Sequence, residues 1–305
     1  MSATPATAPS WQHAAVVRAL RLVRANRILA PGRVPKPNAP ARRRRLPPPP
    51  PWTRRGVQVE RSAHLGWPMW TLRSARRPGD GAVVVALHGG AYVREITAAH
   101  YGYYADLVRR TGSAVMVPGY PLAPAGTAGT VVPAVADLLT RIIAEHGPAA
   151  VRVLGDSAGG GLALAAVQEL RRRGALVPGR LVLLSPWLDV TLSDARSATV
   201  ADPMLDLAGM RACGRLWAGR LSPTDPMVSP LFGPLDGLPP TTVYAGTLDL
   251  LHPDAVRLRE GAGAAGSEVR LELRTGLLHD WLLVPMLPEA RRARGDIHRL
   301  LARAG

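Results

Sequence analysis

Val151-Arg-Val-Leu154 runs directly into Gly155-Asp156-Ser157-Ala158-Gly159-Gly160, and the small-residue stretch Gly161-Leu-Ala-Leu-Ala-Ala-Val167 follows. The apolar run predicts a buried strand, the glycines a sharp turn, and the Ala/Leu stretch a helix. A serine at the tip of strand, turn and helix reads as a nucleophile held on a tight elbow. Side chains two before and two after such a serine would collide, and Gly155 and Gly159 leave that room. The helix that follows points its first N–H groups at the serine, where negative charge would develop. The chain holds 31 glycines, so a plain glycine-rich turn with Ser157 as a helix cap is the competing reading, and support must come from elsewhere.

It comes first from upstream. Ala82-Val-Val-Val-Ala-Leu87 reads as a buried strand and runs into His88-Gly-Gly-Ala91-Tyr92. Glycines there let backbone approach a substrate closely with N–H groups free to donate. Gly89, Gly90 and Ala91, with Ala158 after the serine, are the candidate oxyanion-binding donors. Support comes next from chain order. Thr241-Thr-Val-Tyr-Ala245 predicts a strand followed by Gly246-Thr-Leu-Asp249. Glu268-Val-Arg-Leu-Glu-Leu273 alternates like an edge strand and is followed by Gly276-Leu-Leu-His279-Asp280-Trp281. Ser157, Asp249 and His279 thus succeed one another in the order nucleophile, acid, base, each after a strand.

These motifs resemble the hormone-sensitive-lipase-like branch of the α/β-hydrolases, bacterial esterases with His-Gly-Gly-x upstream of Gly-Asp-Ser-Ala-Gly. The likeness spans Val83 to about Arg299. Tyr120-Pro-Leu-Ala-Pro124 and Asp137 match further family positions, and Ser185-Pro-Trp-Leu-Asp189, Asp202-Pro-Met-Leu205, Ser229-Pro-Leu231 and Leu238-Pro-Pro240 resemble an acetyl-hydrolase-type subgroup. The chain departs from the pattern after Asp249, where Leu-Leu-His-Pro253-Asp254 moves a supporting aspartate to Asp254. The resemblance implies an α/β-hydrolase fold: a mainly parallel eight-stranded sheet with helices on both faces and a helical cap. It implies hydrolysis of a short-acyl ester or an acetylated metabolite through an acyl-enzyme, with N- or O-deacetylation of a secondary metabolite as the alternative.

Strand and helix signals alternate from residue 82 onward, which by itself means a parallel sheet covered on both faces. The stretch 190–238 has no strand signal and reads as a cap insertion. Tyr92, Trp187, Met204, Met210 and Trp217 are candidate pocket residues, with core packing as the other reading for each. His88 and Asp156 are expected to brace loops. His252 is read as a loop residue at the next helix start, and Asp280 as structural. His13, His64, His100, His146 and His298 show no partner pattern. Cys213, the one cysteine, reads as packing.

Arginine supplies almost all the positive charge, Lys36 being the only lysine. Residues 1–55 hold Lys36, eleven arginines and no acid, which is +12 of the net +16. That segment divides into a predicted basic helix, Trp11 to Leu29, and a proline-rich run with Arg42-Arg-Arg-Arg45. The arginines break any apolar stretch long enough for a leader or a membrane span. A part in the cap ranks first for this helix and contact with an anionic membrane second. Residues 56–305 form the catalytic domain. No base-reading module accompanies the arginines, so nucleic acid is not expected as a partner. Neither metal nor cofactor is expected, because histidines and the single cysteine are dispersed. A lone cysteine suits a reducing cytoplasm. The sequence leaves the oligomeric state open, a homodimer being one possibility.

Overall fold

The computed structural model describes residues 8–36, 46–77, 79 and 81–302. Arg42–Arg45 lie outside the described residues. Eight strands form one sheet in the order β1-β2-β4-β3-β5-β6-β7-β8. β1 (Val57–His64) and β2 (Trp67–Ser74) form an antiparallel pair, and β2 lies antiparallel to β4 (Ala114–Pro118). The rest, β3 (Val83–Leu87), β5 (Val151–Asp156), β6 (Arg180–Leu184), β7 (Thr241–Leu248) and β8 (Val269–Leu278), run parallel.

The central strands are apolar throughout because both of their faces are covered. In β3, Val83, Val85 and Leu87 enter one core layer while Val84 and Ala86 enter the other. The first layer is built with α3 (Ala128–His146), α4 (Ala158–Arg172), α5 (Leu207–Ala218) and α6 (His252–Ala264). The second is built with α2 (Ala98–Thr111) and α7 (Pro288–Leu301). β8 ends the sheet, and its mixed burial fits an edge.

The register aligns the strand ends. Leu87 pairs with Gly155, Asp156 with Leu184, and Leu248 with Leu278. Loops after β3, β5, β7 and β8 therefore open at one rim of the sheet, where open α/β sheets bind ligands.

Two segments differ from the sequence reading. β8 continues through Gly276 to Leu278 rather than ending near Leu273, because Gly276 takes φ +74° and the pairing with β7 shifts between Gly246 and Leu248. The predicted helix Trp11–Leu29 ends early. α1 covers Trp11–Leu22, Arg24 turns left-handed at φ 51°, and a 3-10 turn spans Ala25–Leu29. This turn lays the Leu29 carbonyl against α5, where a Cβ on Gly209 would lie 1.6 Å from that oxygen. α1 itself buries His13 and Val17, and Val17 joins the α2/α7 layer. Its N-cap Ser10 is clamped to α7: the Ser10 N–H donates to Glu289 Oε1 at 2.6 Å and its hydroxyl to Oε2 at 3.1 Å.

Candidate active site

Ser157 sits between β5 and α4 with φ 51° and ψ −120°, a conformation that costs a non-glycine residue about 1–3 kcal/mol. Neighbouring geometry enforces it. A Cβ on Gly155 would lie 2.3 Å from the Gly159 carbonyl oxygen, and one on Gly159 would lie 2.0 Å from the Leu87 carbonyl oxygen. The Ser157 N–H donates to Leu184 O at 2.8 Å, tying the elbow to β6.

His279 follows β8 directly, and its Nε2 lies 3.0 Å from Ser157 Oγ. Its Nδ1 lies 2.9 Å from Asp249 Oδ2, at the end of β7. All three residues are buried. Asp249 is held by the Leu251 N–H, which donates to its Oδ1 at 2.9 Å. Burial opposes a charge on the His279 imidazole, yet Asp249 and then Asp280 outweigh it and hold the ring well above its ordinary pKa. The structure thus assembles the serine, imidazole and carboxylate that chain order picked out.

The loop after β3 differs in one respect. The Gly89 N–H donates to Asp156 Oδ2 at 2.8 Å, so it is spent on bracing and leaves the oxyanion set. Gly155 pairs with Leu87 at the end of β3, so the next residue, Asp156, sets its carboxylate beside that N–H. The N–H groups of Gly90, Ala91 and Ala158 carry no hydrogen bond among the described residues. Gly90, Ala91 and Tyr92 all have positive φ, at 123°, 52° and 60°, which bends this loop around. His88 braces it as expected. Its Nδ1–H donates to Gly89 O at 2.7 Å, its ring stacks on Tyr120, and the Tyr120 hydroxyl donates to His88 O at 2.6 Å. Burial, then His100, lowers the His88 pKa to about 4, so the ring is neutral.

The aromatic residues expected to line a pocket pack instead as core. Tyr92 stacks on Trp217 at 3.9 Å between ring centroids and on Trp187 at 5.6 Å. With Met210 they are 1% exposed or less, and they support the loop after β3 from behind. The reason is Gly161, which lets the Trp187 backbone and the Tyr92 hydroxyl close onto α4. Met204 is the partly exposed member of the five and touches both core layers.

Several supporting residues were not legible. His100 Nε2 lies 3.0 Å from Asp156 Oδ2, and its Nδ1 accepts the Thr97 N–H at 3.1 Å. His13 of α1 accepts the Leu278 N–H on Nε2 at 3.1 Å, one residue before His279. Asp202 accepts the Leu250 N–H on Oδ2 at 3.0 Å and the Met204 and Leu205 N–H groups on Oδ1 at 2.7 and 3.0 Å. Burial, then the charge of Asp249, pushes the Asp202 carboxyl up to about 6. Asp202, in the Asp-Pro-Met-Leu motif, therefore supports the acid's loop, and Asp254 does not. Asp254 is buried against Arg257, its Oδ1 accepting from Nη1 at 2.8 Å; burial, then Asp189, pushes it up to about 7. Asp280, read as structural, places Oδ2 3.2 Å from His279 Nε2. His252 opens α6 and bonds Asp249 O through Nδ1 at 2.8 Å, which keeps its ring off Ser157. Cys213 is fully buried, and burial pushes its thiol up to about 12. Among the described residues no cluster of His, Cys, Asp or Glu could hold a metal ion.

A family profile described as the alpha/beta hydrolase fold matches residues 84–283. The chain belongs to this family. It is similar to a triacylglycerol lipase of Mycobacterium tuberculosis, 42% identical over 75% of this chain and 48% of the lipase. The chain thus spans about half the length of that relative. It is also similar to an acetyl-hydrolase of Streptomyces hygroscopicus, 36% identical over 73% of this chain and 75% of that one. A crystal structure of an esterase from the bacterial hormone-sensitive lipase family superimposes with a TM-score of 0.80 at 29% identity, covering 98% of this chain and 100% of that one. This alpha/beta hydrolase thus shares its overall fold with that esterase.

Proposed function

We propose that the protein cleaves short-acyl carboxylic esters through an acyl-enzyme formed on Ser157. Its coarse activity is that of a carboxylic ester hydrolase, as in its relatives. The observation that carries the finer reading is the continuous chain Ser157 Oγ, His279 Nε2, His279 Nδ1, Asp249 Oδ2, at 3.0 and 2.9 Å. His279 takes the Ser157 proton as Oγ attacks the ester carbonyl. Asp249 holds the tautomer with hydrogen on Nδ1 and stabilises the imidazolium. The tetrahedral oxyanion is bound by N–H groups of Gly90, Ala91 and Ala158, aided by the N-terminus of α4. His279 gives its proton to the departing alcohol, and water then hydrolyses the acyl group by the same steps reversed. The acetyl-hydrolase relative favours an acetyl donor, which keeps deacetylation of a metabolite as the second reading. Among the described residues no helix is long and apolar enough to cross a membrane. A cytoplasmic enzyme with a reduced Cys213 is the setting we infer.

Residues 1–55 and 190–238 form the cap in this reading. Support comes from His13 on the Leu278 N–H, and from Leu29 on Gly209. Acetyl to butyryl p-nitrophenyl esters are therefore expected to give higher kcat/KM than esters of ten carbons or more. A kcat/KM that climbs steadily with chain length, with activation at a lipid interface, would sink this reading. Deleting residues 1–30 removes the His13 and Ser10 contacts. It is expected to lower kcat/KM on soluble esters and to promote aggregation, read by light scattering, because core surface is uncovered. A tether on anionic lipid would instead leave soluble-ester kinetics unchanged and lose only salt-sensitive vesicle binding.

A further inference from the structure

We propose that Asp280 is a positioning residue which holds the Nε2 proton of His279 and so sets the pH at which Ser157 becomes a nucleophile. The proposal rests on the roles given above to Ser157, His279 and Asp249.

One ring nitrogen faces two acceptors. His279 Nε2 lies 3.0 Å from Ser157 Oγ and 3.2 Å from Asp280 Oδ2. An aspartate next in sequence to the histidine reaches Nε2 only if the backbone doubles back. Here it does: Asp280 has φ 50° and ψ 32°, and its N–H donates to Ser185 Oγ at 3.1 Å. The left-handed conformation is one that aspartate tolerates better than most residues. The carboxylate is not occupied by structural duties. Its Oδ1 has no hydrogen-bond partner, and no cation besides His279 is paired with it among the described residues.

The charges around the ring favour its protonated form. Asp249 faces it from the loop after β7, Asp280 from its own loop, and Asp202 from the segment before α5. Asp156, from the end of β5, acts on Asp280, and His100 from α2 sits on Asp156. His13 from α1 faces the Leu278 N–H, and burial keeps that ring below its ordinary pKa. Burial, opposed by His279, pushes the Asp280 carboxyl up to about 6.

In the resting pair, hydrogen on Nδ1 points to Asp249 and hydrogen on Nε2 points to Asp280. That imidazolium has no lone pair for the Ser157 hydroxyl. The Nε2 proton must first leave to water, and only then can Nε2 accept the proton from Oγ. Asp280 thus shifts the onset of catalysis to higher pH. After attack, it also offers the new Nε2–H a second acceptor beside the leaving alcohol.

The test is the pH dependence of kcat/KM for p-nitrophenyl acetate, over roughly pH 5 to 10, in the parent, Asp280→Asn and Asp280→Gly. Asparagine keeps shape without charge, and glycine removes the group; both accept a positive φ. The parent's ascending limb is expected above the ordinary histidine value of 6.5. Both variants are expected to move that limb down by about one pH unit or more, since one charge within contact of a group shifts its pKa by about 1–3 units. At the foot of the limb this is a gain of about tenfold in kcat/KM. A limb that stays in place in the variants while activity falls equally at every pH would make Asp280 merely structural and overturn the proposal. So would a parent limb at or below 6.5, a result that needs no variant to fold. Failure of the underlying triad reading is distinguishable, because it would appear as activity retained by Ser157→Ala.

Discussion

Ser157→Ala is expected to lower kcat/KM for p-nitrophenyl acetate by about 10⁴-fold or more while the chain stays folded. The two halves of this expectation have separate physical grounds. Ser157 Oγ is the atom within reach of His279 Nε2, at 3.0 Å, and no other hydroxyl is bonded to that nitrogen among the described residues. Without Oγ no acyl-enzyme can form, and only binding and oxyanion contacts remain to accelerate attack by water. Stability should hardly change. Alanine keeps the β-carbon that the elbow already accommodates, so the strain at φ 51° is the same in both. The contacts that fix the turn, from the Ser157 N–H to Leu184 O and from Trp187 N–H to Ser157 O, are backbone bonds and survive. A change within about 1 kcal/mol is typical of such a substitution, and a thermal melt reads it. A phosphonate ester should label the parent at Ser157 alone, as peptide mass spectrometry would show. Activity in Ser157→Ala within tenfold of the parent would remove the nucleophile assignment.

Much of this was legible because it follows from local pattern. The apolar run 82–87 had to be a two-face buried strand, and the glycines around Ser157 had to make a tight turn. What escaped depends on pairing between distant segments. The Gly89 N–H looked free in sequence. It is not, because β3 lies beside β5 and the Asp156 carboxylate comes to rest below it. Asp202 carried a recognisable motif, but its partner, the Leu250 N–H, is 48 residues away in another loop. β8 runs past the strand signal at 268–273 and through Gly276, since a glycine in a strand signals an end unless a neighbouring strand with a matching irregularity holds it. The contact between Asp280 and His279 is hidden in the sequence for a conformational reason. Adjacent side chains normally diverge, and only the left-handed turn at Asp280 brings its carboxylate to the imidazole beside it. For the aromatic cluster the sequence leaves pocket lining and core packing both open, and Gly161 allows the rings to seal as core.

Gly159→Ala is expected to destabilise the fold by about 3 kcal/mol or more and to abolish most activity, whereas Gly263→Ala is expected to do neither. Both glycines lie in helices, α4 and α6, so helix propensity alone would favour alanine at each, by about 0.5–1 kcal/mol. Their surroundings decide the outcome. A Cβ on Gly159 would stand 2.0 Å from the Leu87 carbonyl oxygen and 2.7 Å from that of His88. Both are main-chain atoms in or beside the central strand β3, so no side chain can swing aside. Overpacking usually costs about 1–3 kcal/mol, and a clash between a helix and a buried strand belongs at or above the top of that range. Relief requires α4 to slide away from β3. That shifts Ser157 from His279 and the Ala158 N–H from Gly90 and Ala91 together, and a displacement of about 1 Å can cost 10²-fold in rate. At Gly263 a Cβ would meet nothing within 4 Å, so alanine there should leave kcat/KM alone and raise stability slightly. Denaturant melts of the two variants, with kcat/KM measured on the folded fraction, separate the cases. If Gly159→Ala melted with the parent and kept its rate, the close approach of α4 to β3 that holds the elbow in place would be wrong, and with it the structural basis for a strained Ser157.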